Sequence, residues 1–129
     1  MATKVSCRSL PTERKYEPAF AFEHGITDET TDTKYGAVSR THYPPKSESR
    51  PHYHENGDLF FYCISGRTIF RIGREKQEYV IEAGDFIYIP RGEIHSNFNP
   101  SETEPVEGIA GCFGASHPEK SGKVLVDLD

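Results

Sequence analysis

Gly84-Asp85-Phe86-Ile87-Tyr88-Ile89-Pro90-Arg91-Gly92-Glu93-Ile94-His95-Ser96-Asn97-Phe98-Asn99 is the stretch whose reading decides the fold. After Asp85 the run to Ile89 is apolar at every position, as in a strand covered on both faces. Pro90 and Gly92 then make a tight reversal, the proline fixing φ and the glycine admitting positive φ. His95 leaves that reversal in a set direction, at the start of a second strand. Upstream stands His52-Tyr53-His54, two histidines one residue apart. In an extended chain they share a face, with Cβ atoms roughly 6.5–7 Å apart. That spacing lets two imidazoles meet on one ion at about 2.0–2.1 Å from each nitrogen.

The rest of the chain bounds what such a site can serve. With 129 residues, 27% of them charged and 35% hydrophobic, it reads as one soluble globular domain. A net charge of -5 disfavours nucleic acid and anionic membrane as partners, because both demand a basic patch. No apolar run approaches the ~18 residues of a membrane span. The first residues, Met1-Ala2-Thr3-Lys4-Val5-Ser6-Cys7, lack the apolar core of a signal peptide. Cys7, Cys63 and Cys112 are an odd, scattered set, which reads as reduced thiols in a cytoplasmic protein.

Working outward from the deciding stretch, turn signals separate many short apolar runs. Residues 35–43 alternate as a strand and stop at Pro44-Pro45. Leu59-Phe60-Phe61-Tyr62-Cys63-Ile64 is the most apolar run, followed across Ser65-Gly66 by Arg67-Thr68-Ile69-Phe70-Arg71-Ile72. This pair predicts a hairpin. Gln77-Glu78-Tyr79-Val80-Ile81, a small apolar segment over 106–113 and Val124-Leu125-Val126 supply further strands. No helical period, repeat or low-complexity tract is visible. The pattern predicts an all-β barrel or sandwich over 35–129, preceded by an N-terminal arm over 1–34 with a possible edge strand at Ala19-Phe20-Ala21-Phe22. Apolar outer faces at 59–64 and 86–89, together with the arm, predict a homodimer.

Other residues earn plainer readings. His42 is a core or rim histidine, and His24 and His117 lie in loop-like sequence without a role. Phe60, Tyr62, Phe86 and Tyr88 fill the barrel, Arg67 and Arg71 face solvent, and Cys63 is core. There is no phosphate loop, nucleophile elbow or CxxC pair.

Gly84, Pro90, Gly92, His95 and Asn99 resemble the second motif of the cupin superfamily at every defined position. His52, His54 and Gly66 match part of the first motif, and the two together span roughly 50–100. The tail, with Asn99-Pro100-Ser101, Glu104-Pro105 and Asp127-Leu128-Asp129, is similar to small bacterial single-domain cupins. The resemblance implies a single-domain β-barrel of jelly-roll type. It also implies a divalent transition metal held by the clustered histidines, a carboxylate and the later histidine. The chain departs from the pattern twice. The opening glycine of the first motif falls on Lys46. Counted back from Gly66, the carboxylate falls on Leu59; counted forward from His54 at the shorter gap, it falls on Asp58. Two ligand sets stay open: His52, His54, Asp58 and His95, or the three histidines alone.

Nitrogen-rich ligation with open positions suits Fe, Mn, Ni, Co, Cu or Zn. The resemblance implies a metal-dependent protein acting on a small organic molecule, first of all as a dioxygenase-like oxidoreductase. An isomerase or lyase of a sugar or keto acid, with the metal as Lewis acid, is the alternative. A non-catalytic ligand-binding barrel is the third reading.

Overall fold

The structure, a computed structural model, describes residues 1–128. Asp129, which closes the 35–129 range, lies outside the described residues. Ten strands follow in order: β1 (Ala21–Ile26), β2 (Gly36–Tyr43), β3 (His52–His54), β4 (Asp58–Ser65), β5 (Arg67–Ile72), β6 (Gln77–Glu82), β7 (Phe86–Ile89), β8 (His95–Phe98), β9 (Val106–Phe113) and β10 (Lys123–Leu125). They form two antiparallel five-stranded sheets, ordered β1-β2-β9-β4-β7 and β10-β3-β8-β5-β6, packed face to face as a jelly roll. Besides strands there are two short 3-10 turns, Cys7–Ser9 and Pro118–Lys120. No described helix is long and apolar enough to cross a membrane.

Strand parity decides which side chains meet in the middle. On β4 Phe61 and Cys63 are buried, and opposite them Phe70 and Ile81 close the core with Phe20, Phe22, Tyr43, Ile89 and Val106. Room for the rings comes from glycine. A Cβ on Gly108 would stand 2.2 Å from the Phe61 ring, and one on Gly111 would stand 2.5 Å from the Phe60 ring on the other face.

The hairpin expected across Ser65-Gly66 is not formed. β4 pairs with β7 and β9, while β5 pairs with β6 and β8. Gly66, at φ 83°, swings the chain from one sheet to the other, so the two runs face each other across the core. A turn signal marks the reversal in either geometry, and apolar residues on both runs satisfy both. The hairpin lies one strand later, between β5 and β6.

The N-terminal arm packs on its own barrel. β1 pairs with β2, and Phe20 and Phe22 enter the core. Lys46, where the family pattern has glycine, takes φ 61°, so the backbone keeps the turn without the residue best suited to it. The outer positions of β7 and β4 lack the cover expected for a strand apolar on both faces. Phe86 and Tyr88 are 74% and 59% exposed beside Phe60, Tyr62 and the 54% exposed Phe113.

Candidate metal centre

Neighbouring strands of one sheet deliver the three histidines. β3 places His52 and His54 on its inner face with Tyr53 turned away, and His95, the first residue of β8, is the register partner of His52. All three are buried, with one ring nitrogen from each lying within 4.8 Å of the others. The reversal at Pro90 and Gly92 is pinned by the Gly92 N–H, which donates to the His54 carbonyl at 2.9 Å. The turn that introduces His95 is thus tied directly to the strand carrying the other two.

Hydrogen bonds settle which ring nitrogens face inward. Nδ1 of His52 lies 2.6 Å from the Arg50 carbonyl, and Nδ1 of His95 lies 3.0 Å from the Glu93 carbonyl. A carbonyl only accepts, so each Nδ1 carries the hydrogen and each Nε2 keeps its lone pair. His54 Nδ1 meets the Ser121 hydroxyl at 2.8 Å, and that hydroxyl in turn donates to the Pro118 carbonyl. The Ser121 oxygen is therefore the acceptor and His54 the donor. Burial, the largest cause, drives the imidazoles towards the neutral form, and for His52 and His54 the neighbouring His95 adds to it. Their pKa values are pushed down to about 2 for His52, about 3 for His54 and about 4 for His95. Three neutral imidazoles with fixed tautomers are the donor set a divalent transition ion takes. The residues fit such an ion.

Asp58 does not join them. It opens β4 at a position whose parity faces outward, and its Oδ1 accepts from the Arg91 N–H at 2.9 Å, with the Arg91 Nε at 3.5 Å. That N–H is the main reason its carboxyl sits below the usual carboxylate range. The next residue, Leu59, faces the interior and lines the cavity beside the histidines. The forward count to Asp58 lands one residue out of phase with the inner face, and of the two ligand sets left open the structure groups the three histidines without Asp58. Replacing Asp58 by asparagine is therefore expected to leave metal affinity within about twofold of the parent, because asparagine still accepts from the Arg91 N–H. Calorimetric titration of the metal-free variant with Co(II) checks this.

The cavity in front of the histidines encloses about 540 Å³ of empty space, part of it open to solvent. Phe20, Phe22, Phe61, Phe70 and Ile89 supply apolar walls. Ser49 and Asn97 form a polar patch, with the Ser49 Oγ 3.3 Å from the Asn97 Oδ1 and the Asn97 Nδ2 donating to Thr68 Oγ1 at 3.0 Å. Tyr16, Glu17 and Lys123 complete the lining from the two ends of the chain. Sequence reading missed these residues. Asn97 was within reach, since it stands two residues from His95 and shares its face. Glu17 and Lys123 carried no signal, because they come from segments without periodicity. Asn99, read with the motif, knits the Pro44 and Glu104 loops by donating to the carbonyls of Tyr43, Pro44 and Glu104. His42 faces outward between Glu23 and Glu107, at 2.5 Å from each, while His24 pairs with Glu13 and His117 with Glu29.

A family model described as the cupin domain matches residues 39–110. Among curated proteins, one of unassigned function from Aquifex aeolicus (strain VF5) is 35% identical over 83 residues, covering 64% of each chain. Germin-like protein 12-4 of Oryza sativa subsp. japonica is 29% identical over 111 residues, covering 69% of this chain. The chain spans 64% and 48% of the lengths of these two relatives. Among solved structures, the polyketide cyclase RemF from Streptomyces resistomycificus superposes with a TM-score of 0.80 at 19% identity, covering 100% of this chain and 88% of that one. Oxalate decarboxylase from Bacillus subtilis gives 0.77 at 19% identity, covering 97% of this chain and 32% of that one.

Proposed function

The chain belongs to the cupin family, and from that premise we propose that it is a metal-dependent oxygenase of a small organic molecule. The observation that carries this reading is the set of three buried, neutral imidazoles, with no carboxylate among them, at the head of a largely apolar cavity. His52, His54 and His95 would hold an Fe(II) ion, which would supply a Lewis acid for bringing substrate and O₂ together. The protein's own groups do the rest. The Arg50 and Glu93 carbonyls and the Ser121 hydroxyl hold the rings in orientation, the apolar walls exclude water, and the Ser49–Asn97 patch orients the substrate's polar end.

The isomerase or lyase alternative needs a base to carry a proton between substrate atoms. Among the described residues lining the cavity, the one carboxylate is Glu17, and its oxygens are engaged by Arg50 and Lys123. That engagement favours the oxygenase. The test is to load metal-free protein separately with Fe(II), Mn(II), Co(II), Ni(II), Cu(II) and Zn(II) and offer catechols and β-diketones. O₂ uptake matched to substrate loss with Fe(II), and none with Zn(II), is expected. Solvent-deuterium exchange into keto acids without O₂ uptake would replace this reading with the alternative, and binding without turnover would replace both.

We also propose that two copies pair through the outer face of β4, β7 and β9. Taking about 150–250 Å² for each aromatic side chain, Phe60, Tyr62, Phe86, Tyr88 and Phe113 present roughly 500 Å² of apolar surface. A standard-size stable interface covers about 800 Å² per partner, and homodimer interfaces are some 65% apolar, so the patch has the size of the apolar core of a small homodimer interface. Sedimentation at micromolar concentration is expected to give a dimer for the parent and a soluble monomer for Phe86→Asp combined with Phe113→Asp. A monomeric parent at that concentration would refute the pairing.

A further inference from the structure

Glu17 is a carboxylate only 3% exposed, held by two cations. It accepts from the Arg50 N–H at 3.0 Å, from the Arg50 guanidinium at 3.0 and 3.3 Å, and from Lys123 Nζ at 2.7 Å. Burial favours the protonated acid, but these hydrogen bonds outweigh it and hold the carboxyl below the usual carboxylate range. One negative charge therefore answers two positive ones, and the cluster keeps a net charge of +1. Arg50 meets solvent with half of its side chain, whereas the Lys123 side chain is 13% exposed. Lys123 is the register partner of His54, lines the same cavity and is the one cationic side chain among its lining residues. Its Nζ also donates to the Tyr16 carbonyl at 2.7 Å and lies 4.4 Å from the Tyr16 ring centre, so its position is well defined. With a divalent ion on three neutral histidines, and Asp58 turned outward, no carboxylate besides Glu17 lies among the described lining residues, and Glu17 is already engaged by Lys123 and Arg50. Buried charge left uncompensated is costly, and a bound anion removes that cost.

We propose that Lys123 forms a second subsite, one that holds an anionic oxygen of the substrate while the other end of the molecule faces the histidines. The ligand class is a compact organic dianion, a short dicarboxylate or a carboxylate carrying an enolate. The inference rests on the reading of the histidines as a metal centre, and the experiment separates the two. Protein loaded with Co(II) is titrated with acetate and with unbranched dicarboxylates of two to four carbons, followed by the visible Co(II) bands. The parent is expected to bind at least one dicarboxylate about tenfold more tightly than acetate. Lys123→Met is expected to lose that preference with acetate affinity unchanged, and Lys123→Arg to keep most of it. Glu17→Gln removes the counter-charge and is expected to increase the preference, which keeps the test open if Lys123→Met does not fold. A lysine that only pins the arm to β10 would leave the ratio unmoved, so an unchanged ratio in Lys123→Met, or a parent without preference, overturns the subsite. Failure of the parent to take up Co(II) overturns the metal centre itself, and the subsite with it.

Discussion

Replacing His95 by alanine is expected to weaken binding of a divalent transition ion by at least about 100-fold while the barrel stays folded. Loss of a supporting group beyond the ligands already costs 10- to 100-fold, and here a ligand itself is removed. The two remaining rings sit on a single three-residue strand, and the third nitrogen comes from β8. The core of Phe61, Phe70, Ile81 and Ile89 needs no ion, so circular dichroism and thermal unfolding of the metal-free variant should stay near those of the metal-free parent. The pH dependence gives a second readout. Unfolded histidines take up protons near pH 6.5, whereas the folded site refuses them until about 4, 3 and 2 for His95, His54 and His52. The unfolded state binds more protons across that window, so the metal-free parent loses stability as pH falls from 6.5 towards 4. His95→Ala lacks one of those protons and its stability should fall less steeply, as urea unfolding at pH 7 and pH 5 would show. Undiminished metal affinity in the variant would place the centre elsewhere.

The second large effect is expected at Gly108. An alanine Cβ there would stand 2.2 and 2.5 Å from Phe61 ring carbons and 2.7 Å from the Tyr62 carbonyl oxygen. The ring cannot simply swing away, since Tyr43 stacks on it at 5.4 Å and Phe70 packs against it at 5.7 Å. Overpacking a closed core costs about 1–3 kcal/mol, and a clash that includes backbone belongs at the upper end. For a domain of this size that lowers Tm by about 10 °C. Phe61 also lines the cavity, so any displacement of its ring narrows the space before the histidines. Combining Gly108→Ala with Phe61→Leu should recover part of the loss. A single variant with parental Tm would show that the barrel accommodates the methyl group by a route other than the ring.

The sequence told most about the fold and the metal centre where a local rule was sufficient. Period-two alternation located β2 and β5, and the proline-glycine reversal before His95 placed that residue at a strand start, as found. Alternation also put His52 and His54 on one face. The same rule, applied through Gly57 to Asp58, would have required knowing how the intervening turn advances the chain, and a turn can shift parity by one. Ser65-Gly66 failed for a related reason: a reversal does not say whether the two strands bond side by side or face each other across a core. Glu17, Lys123 and Ser121 were out of reach altogether. Their roles exist only because the two ends of the chain pack against the middle, which no local period encodes.

The 2.8 Å contact between His54 and the Ser121 hydroxyl joins residues 67 positions apart. On a ribosome the histidine pair emerges well before the hydroxyl that orients His54, and β10, which flanks β3, comes later still. The nascent chain thus carries all three histidines for some time without the arrangement that makes them a chelator. The order of synthesis therefore puts completion of the three-histidine arrangement after Ser121 and β10 have emerged. An ion met early finds flexible side chains, and an ion met after folding finds a finished site.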